Sequence, residues 1–223
     1  YLNATDPNYD WSYHNYRDCN INNFVLAAEK LISRGYSAVR MGAVVEQTLE
    51  HSNHKVIDYA TSVHRTDFND IFIGSHCRFF ISSDSGISII PEVFRIPVVF
   101  VNKTLVNVIH TWTLNGLVIF KKFFLKDENR YMTFTEIMKF KFGGVDTNNM
   151  FSRMNLELIE NTPEEICAVT IEMDKRLNKT WETKKEDEEL QQCFWALFGP
   201  GKLKSPDFRI GAEYLRENKV LLV

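Results

Sequence analysis

In the run FFISSDSGISIIPEVF an apolar strand enters a small polar turn and then a short helix. The backbone N–H groups of Ser85, Gly86 and Ile87 at that helix start have no intrahelical acceptor and can face a cleft. Small side chains at Ser83, Ser85 and Gly86 let a diphosphate approach the main chain, and the hydroxyls add donors. Asp84 does not suit a phosphate by charge. It can hold the loop by accepting backbone N–H groups, or accept from a sugar hydroxyl. The competing reading is that Asp84 and Ser85 merely cap the helix. Arg40 ends a strand whose other residues read as buried, so its guanidinium must be paired or functional. It contacts a phosphate or carboxylate, or it pairs with Asp58. Asp58 and Tyr59 follow KVI, where they could meet a base or a ribose hydroxyl; a buried Asp58 capping the next turn is the alternative. Asn102 closes PVVFVN, placed to hold a loop or to touch a ligand. His14, among exposed polar neighbours, is the histidine to consider as a base, with Arg17 nearby.

Much other chemistry finds no support in the sequence. There is no GxGxxG, Walker or nucleophile-elbow pattern, no HExxH and no DxD-type metal site, so no metal and no bound cofactor is expected. The four cysteines, Cys19, Cys77, Cys167 and Cys193, are widely spaced and suggest thiols rather than a disulfide framework. A net charge of −3 argues against a dedicated nucleic-acid binder. The nearest basic run, FKKFFLKDENR, reads as a strand and turn with solvated Lys121, Lys122, Lys126 and Arg130. Three Asn-x-Thr triplets, at Asn3, Asn102 and Asn178, carry little weight alone. No apolar stretch reaches membrane-spanning length and no signal peptide leads the chain, which together suggest a cytoplasmic protein, or one peripheral to the inner membrane.

The elements that would position these groups follow from periodicity. Ile21, Phe24, Val25, Ala28, Leu31 and Ile32 recur at helical spacing, with Asn20 as cap and Gly35 at the end. YSAVRM is a short buried strand, a helix is expected over 44–49, and KVIDYA is a second strand. A helix over 67–75 precedes the strand CRFFIS, the turn, the helical ISIIPEVF and the strand PVVFVN. NGLVIFKKFF reads as one strand and TFTEIMKF as a short helix. NTPEEICAVTIEMDKRL is a strong helix, with Thr162 as cap, Pro163 at its first position and Glu164 and Glu165 in its first turn. KKEDEELQQCFWALF is another helix, and FRIGAEYLRENKVLLV supplies a last helix and an apolar tail. Alternating helices and strands predict an α/β fold: a Rossmann-like parallel sheet with helices on both faces, plus C-terminal helices. Ligands of such sheets bind at the carboxyl ends of the strands. The expected organisation is an N-terminal loop over 1–19, the truncated start of a domain, a core over 20–160 and a helical extension over 161–223.

Ser83-Asp84-Ser85-Gly86, followed by Ile89-Ile90, Phe94, Pro97 and Asn102, resembles the donor-site element of GT-B glycosyltransferases, lipopolysaccharide heptosyltransferases being the broad analogue. Arg95 stands where a glycine is more usual. A wider resemblance, to the C-terminal part of a bacterial glycosyltransferase family, covers almost the whole chain. It rests on Tyr16-Arg17-Asp18, Ile21-Asn22-Asn23-Phe24, Gly35-Tyr36, Val39-Arg40-Met41-Gly42, Ile57-Asp58-Tyr59-Ala60, Arg65-Thr66-Asp67-Phe68, Asp70-Ile71-Phe72, Cys77-Arg78-Phe79-Phe80-Ile81 and Pro163-Glu164-Glu165-Ile166. The resemblance implies a GT-B C-terminal-type domain that binds a nucleotide-sugar as substrate. Arg40, Asp58, Tyr59, Asn102 and the 83–87 loop would face the donor, with His14 and Arg17 at the domain cleft. The partners it implies are a glycan or lipid-linked acceptor and an N-terminal acceptor domain or partner subunit. A nucleotide-sugar 2-epimerase and a non-catalytic nucleotide-binding or assembly subunit are the rival expectations.

Overall fold

The computed structural model describes residues 6, 8–45, 48–49, 51–109, 112–140, 147–199 and 207–223. The fold is mixed α/β, with parallel sheets flanked by helices, a generic Rossmann-like architecture. Strands β1 (Ala38–Arg40) and β2 (Val56–Asp58) form a parallel pair of their own. Strands β3 (Phe80–Ser82), β4 (Val98–Lys103), β5 (Gly116–Phe120) and β9 (Phe208–Ile210) form the main sheet in that order, all parallel. Strands β6 (Lys122–Leu125), β7 (Arg130–Tyr131) and β8 (Leu156–Ile159) form a third, antiparallel sheet with β6 central.

Local chemistry explains most helix boundaries. Asn20 accepts from the Asn22 N–H at the start of a 3-10 turn (Ile21–Phe24) that runs into α1 (Val25–Ile32), and Gly35 beyond it has φ +95°. Thr66 caps α2 (Asp67–His76) by accepting from the Asn69 N–H. A 3-10 turn (Gly86–Ser88) leads into the short α3 (Ile89–Val93). Thr133 and Glu136 form a capping box on α4 (Phe134–Lys139). Next comes α5 (Thr147–Arg153), which the sequence did not announce. Thr162 and Glu165 form a second capping box on α6 (Pro163–Leu177), with Pro163 in the first turn. Helices α7 (Lys185–Ala196) and α8 (Ala212–Glu217) complete the set.

The core is apolar and aromatic. Every residue of β5 is buried, as a strand covered on both faces requires. Phe120 at its end meets Phe134 of α4 and Phe194 of α7, ring centroids 5.8 Å away in both cases. Helix α6 packs on β4, β5, α1 and α8.

Four expectations need correction. NGLVIFKKFF is not one strand: it breaks at Lys121, β5 joining the parallel sheet and β6 the antiparallel one. The lysines of FKKFF are not solvated, since Lys121 is 4% exposed and Lys122 pairs with Glu165 at 2.8 Å; Lys126 and Arg130 do stay exposed. The chain after 161 is not purely helical, because Phe208–Ile210 is a buried strand on the main sheet. Three residues are too few to show a period, so pairing rather than pattern makes them a strand. The helix expected over 44–49 falls partly on residues outside the described ones, and 44, 45, 48 and 49 are not helical.

Two predictions arise here. Arg95, in the tight turn between α3 and β4, has φ +58°, the left-handed backbone that disfavours a β-carbon. Arg95→Gly is therefore expected to raise the unfolding free energy by about 0.5–1 kcal/mol, after the entropy cost of glycine is subtracted; urea denaturation measures it. The other concerns acid. The Arg130 guanidinium donates to both Glu136 oxygens, at 2.8 and 2.7 Å, and with the Thr133 N–H holds that carboxyl down at about 2. A depressed carboxyl contributes stability above its unfolded value, and that contribution fades as pH falls from the ordinary 4.5 towards about 2. Because the pair is solvated the effect is small. Glu136→Gln should flatten the acid limb of a stability–pH curve in that window, with its small loss of stability seen at neutral pH and gone near pH 2.

Candidate functional site

Because β3, β4 and β5 are parallel neighbours, their carboxyl ends lie along one edge of the main sheet. The 83–87 loop leaves β3 there, Lys103 ends β4, and Lys121 follows β5. Lys103 Nζ donates to Asp84 Oδ1 at 2.5 Å, with side chains only 7% and 13% exposed. Lys121 Nζ donates to two backbone carbonyls, Tyr16 O at 3.2 Å and Asp18 O at 2.5 Å. The Thr104 hydroxyl donates to the same Tyr16 carbonyl at 3.1 Å. The N-terminal segment is thus fastened across the strand ends, and its 3-10 turn (Ser12–Arg17) carries His14 and Arg17 with it.

Burial pulls the Lys121 ammonium below the usual lysine range, opposed by the charges of Glu160, Cys19, Asp18 and Asp84. The Cys19 thiol is pushed up by burial, opposed by a hydrogen bond from Ser83. Glu160 Oε2 accepts from the Asn20 N–H and from Asn23 Nδ2, both at 3.0 Å. Cys19, Ser83, Asp84, Lys103, Lys121 and Glu160 therefore form one polar cluster on the sheet edge. Of these only Ser83 and Asp84 were picked out from sequence. A lysine directly after an apolar strand was the available signal, at both VVFVNK and GLVIFK.

The loop itself departs from expectation in two respects. The Ser85 N–H is not free, since it donates to Ser83 O at 2.6 Å. The Gly86 and Ile87 N–H groups have no acceptor among the described residues. Neither Ser85 nor Asp84 caps the helix: Ser85 makes no side-chain cap bond, and one Asp84 oxygen is taken by Lys103. The other, Oδ2, is buried and without a partner among the described residues. A β-carbon built on Gly86 would meet nothing within 4 Å, so the loop opens onto free space. With α3 only five residues long, its dipole adds little.

Asn102 is placed differently. It sits at a register shift between β4 and β5, with φ +54° and no exposure. Its N–H donates to Asn161 Oδ1 and its Oδ1 accepts from the Asn161 N–H, both at 2.6 Å; Asn161 Nδ2 donates to Phe120 O at 2.8 Å. It is a structural clasp rather than a ligand contact, because its side chain is enclosed.

Arg40 and Asp58 are register partners in the β1–β2 pair, and Arg40 Nη1 donates to Asp58 Oδ2 at 3.2 Å. The same oxygen accepts from the Leu49 N–H at 2.7 Å. Of the two readings of Arg40, the ion pair is the one realised. The Tyr59 hydroxyl accepts from the Thr66 N–H at 3.0 Å and donates to Thr66 O at 3.3 Å, closing the loop before α2. Among the described residues, the sheet that these three residues hold shares no strand pairing with the β3–β5 edge.

His14 packs against Tyr13, ring centroids 4.0 Å apart, and against Trp11. Burial first, and then Arg17, hold its imidazole below the ordinary value, which favours the neutral form a base requires. Arg17 donates to the Tyr16 hydroxyl at 3.2 Å and lies over that ring.

Among the described residues no group of His, Cys, Asp or Glu could hold a metal ion, and no helix is long and apolar enough to cross a membrane. No family model matches the chain, and neither a curated protein nor a solved structure is similar enough to match it.

Proposed function

We propose that this chain binds a nucleotide-sugar at the carboxyl edge of β3, β4 and β5, as the donor half of a glycosyltransferase of the GT-B type. One observation carries the reading. Two nearly buried lysines, Lys103 and Lys121, leave neighbouring parallel strands beside an open loop with two N–H groups still to be satisfied. Ligands of open parallel sheets occupy this edge. A diphosphate there receives the Gly86 and Ile87 amides, and the lysines counter the charge that develops as it leaves. Asp84, bonded to Lys103 and with its second oxygen buried, holds the loop beside that lysine. The base that activates the acceptor comes from the cleft side, where His14 and Arg17 lie, or from an acceptor domain or partner subunit. The acceptor is a glycan or a lipid-linked saccharide.

Gly86→Val tests the site without disturbing the fold, because the new side chain enters open space. Titration calorimetry with UDP-, GDP-, ADP- and CMP-sugars should find one base that binds selectively. Gly86→Val should weaken it by at least about tenfold, or 1.4 kcal/mol, with an unchanged unfolding curve. Silence from every donor, with a folded chain, would end the donor reading.

A further inference from the structure

A separate cavity of about 440 Å³ opens at the opposite edge of the main sheet, where β5 and β9 begin. Its volume lies in the range of small-ligand sites. Leu177 is among its apolar lining residues. Its rim and walls carry Arg176, Lys179 and Arg209, and Asp207 is the one acid among the described lining residues. Trp181 supplies a flat wall, held by the Arg176 guanidinium 5.0 Å from its ring centroid.

The cations are arranged from behind. Arg176 Nε donates to Glu172 at 2.8 Å and Arg209 Nη2 to Glu188 at 2.6 Å, and neither glutamate lines the cavity. These pairs fix the guanidiniums while their remaining N–H groups stay available. Lys179 has no acidic partner among the described residues. Two donors of the same walls, Trp181 Nε1 and Arg209 Nε, are buried without an acceptor among the described residues. Buried donors are ordinarily satisfied. A wall rich in cations and unmet N–H groups, with an indole and Leu177 beside them, suits a ligand that joins an oxyanion to a ring.

We infer that this cavity is a binding site for a small ring-bearing phosphomonoester, distinct from the donor site and independent of it. The oxyanion lies against Lys179 and the guanidiniums, and the ring lies against Trp181 and Leu177. The two sites are on opposite edges of one parallel sheet, so each can be disabled alone.

The test uses phenyl phosphate as probe, with inorganic phosphate and phenol as its two halves, at fixed ionic strength. Calorimetry should show saturable binding of phenyl phosphate, roughly tenfold or more tighter than either half. Lys179→Asn removes the charge and suits the left-handed backbone there, φ +58°. It should weaken binding by roughly tenfold, as loss of one charge-assisted contact implies. Gly86→Val should leave binding unchanged. Saturation should also quench indole emission, and Trp181→Phe should abolish the quench, which locates the probe without relying on Lys179. The inference is overturned by absence of saturable binding, by equal affinity for inorganic phosphate, by a quench that survives Trp181→Phe, or by binding lost in Gly86→Val and kept in Lys179→Asn.

Discussion

Asp174→Ala is expected to lower the unfolding free energy by about 2–4 kcal/mol, because three donors lose a buried charged acceptor, each such bond being worth about 1.5–3 kcal/mol, less where Arg34, 35% exposed, can turn to solvent. Asp174 lies in α6 with no exposure. One oxygen accepts from the Arg34 guanidinium, and the other from the Tyr36 hydroxyl at 2.5 Å and from Asn178 Nδ2 at 2.8 Å. The first two donors belong to the segment that joins α1 to β1, so one carboxylate fastens the start of the fold to its longest helix. Alanine would leave Arg34, a hydroxyl and an amide facing a void. Asp174→Asn keeps the volume but loses the charge, and should fall between the two. Urea denaturation of the three proteins decides the matter: a loss below about 1 kcal/mol, typical of exposed pairs, would show that the pair is effectively solvated.

Asn161→Ala is expected to cost about 2–6 kcal/mol, because two buried backbone groups lose their partners and each costs about 1–3 kcal/mol. Those groups are the Asn102 N–H and the Phe120 carbonyl. They stand one residue before Lys103 and Lys121 respectively, so the loss reaches the candidate site as well. Donor affinity should therefore fall together with stability in Asn161→Ala, whereas in Gly86→Val it falls alone. Comparing the two variants by denaturation and calorimetry separates damage to the scaffold from damage to the ligand surface. Asn161→Asp would keep the acceptor for Asn102 but set a fully buried carboxylate against the Phe120 carbonyl, and so should cost at least as much as alanine.

What the sequence made legible was local. Thr162, Pro163 and Glu165 announce α6 because a capping box is completed within four residues. Asn20 and Gly35 likewise mark the two ends of the first helical stretch from residues at those ends. The edge of the main sheet was legible in part: the turn after β3 has the composition of a loop that must stay small. What stayed hidden depends on segments far apart in the chain. Lys121 reads as solvated until residues 16–18 fold over it, and Asn161 reads as an ordinary residue before a helix cap until Asn102 meets it. Arg40 and Asp58 drew notice as charges at strand ends, which a register-paired ion pair also produces. The β5–β6 break escaped because both halves are apolar and extended, and only their different partners part them.

The place of β9 in the main sheet has a kinetic consequence. Gly116–Val118 must wait for Phe208–Ile210 to complete its pairing. Until then the β5 backbone offers an open row of amides and carbonyls along an apolar strand, in a chain whose antiparallel sheet and long helix can form earlier. Pairing so distant in sequence closes slowly. Newly made chains pass through a stage in which β5 is a template for another molecule, and this is when aggregation threatens most. Refolding yield should fall with protein concentration well before the native state itself loses stability.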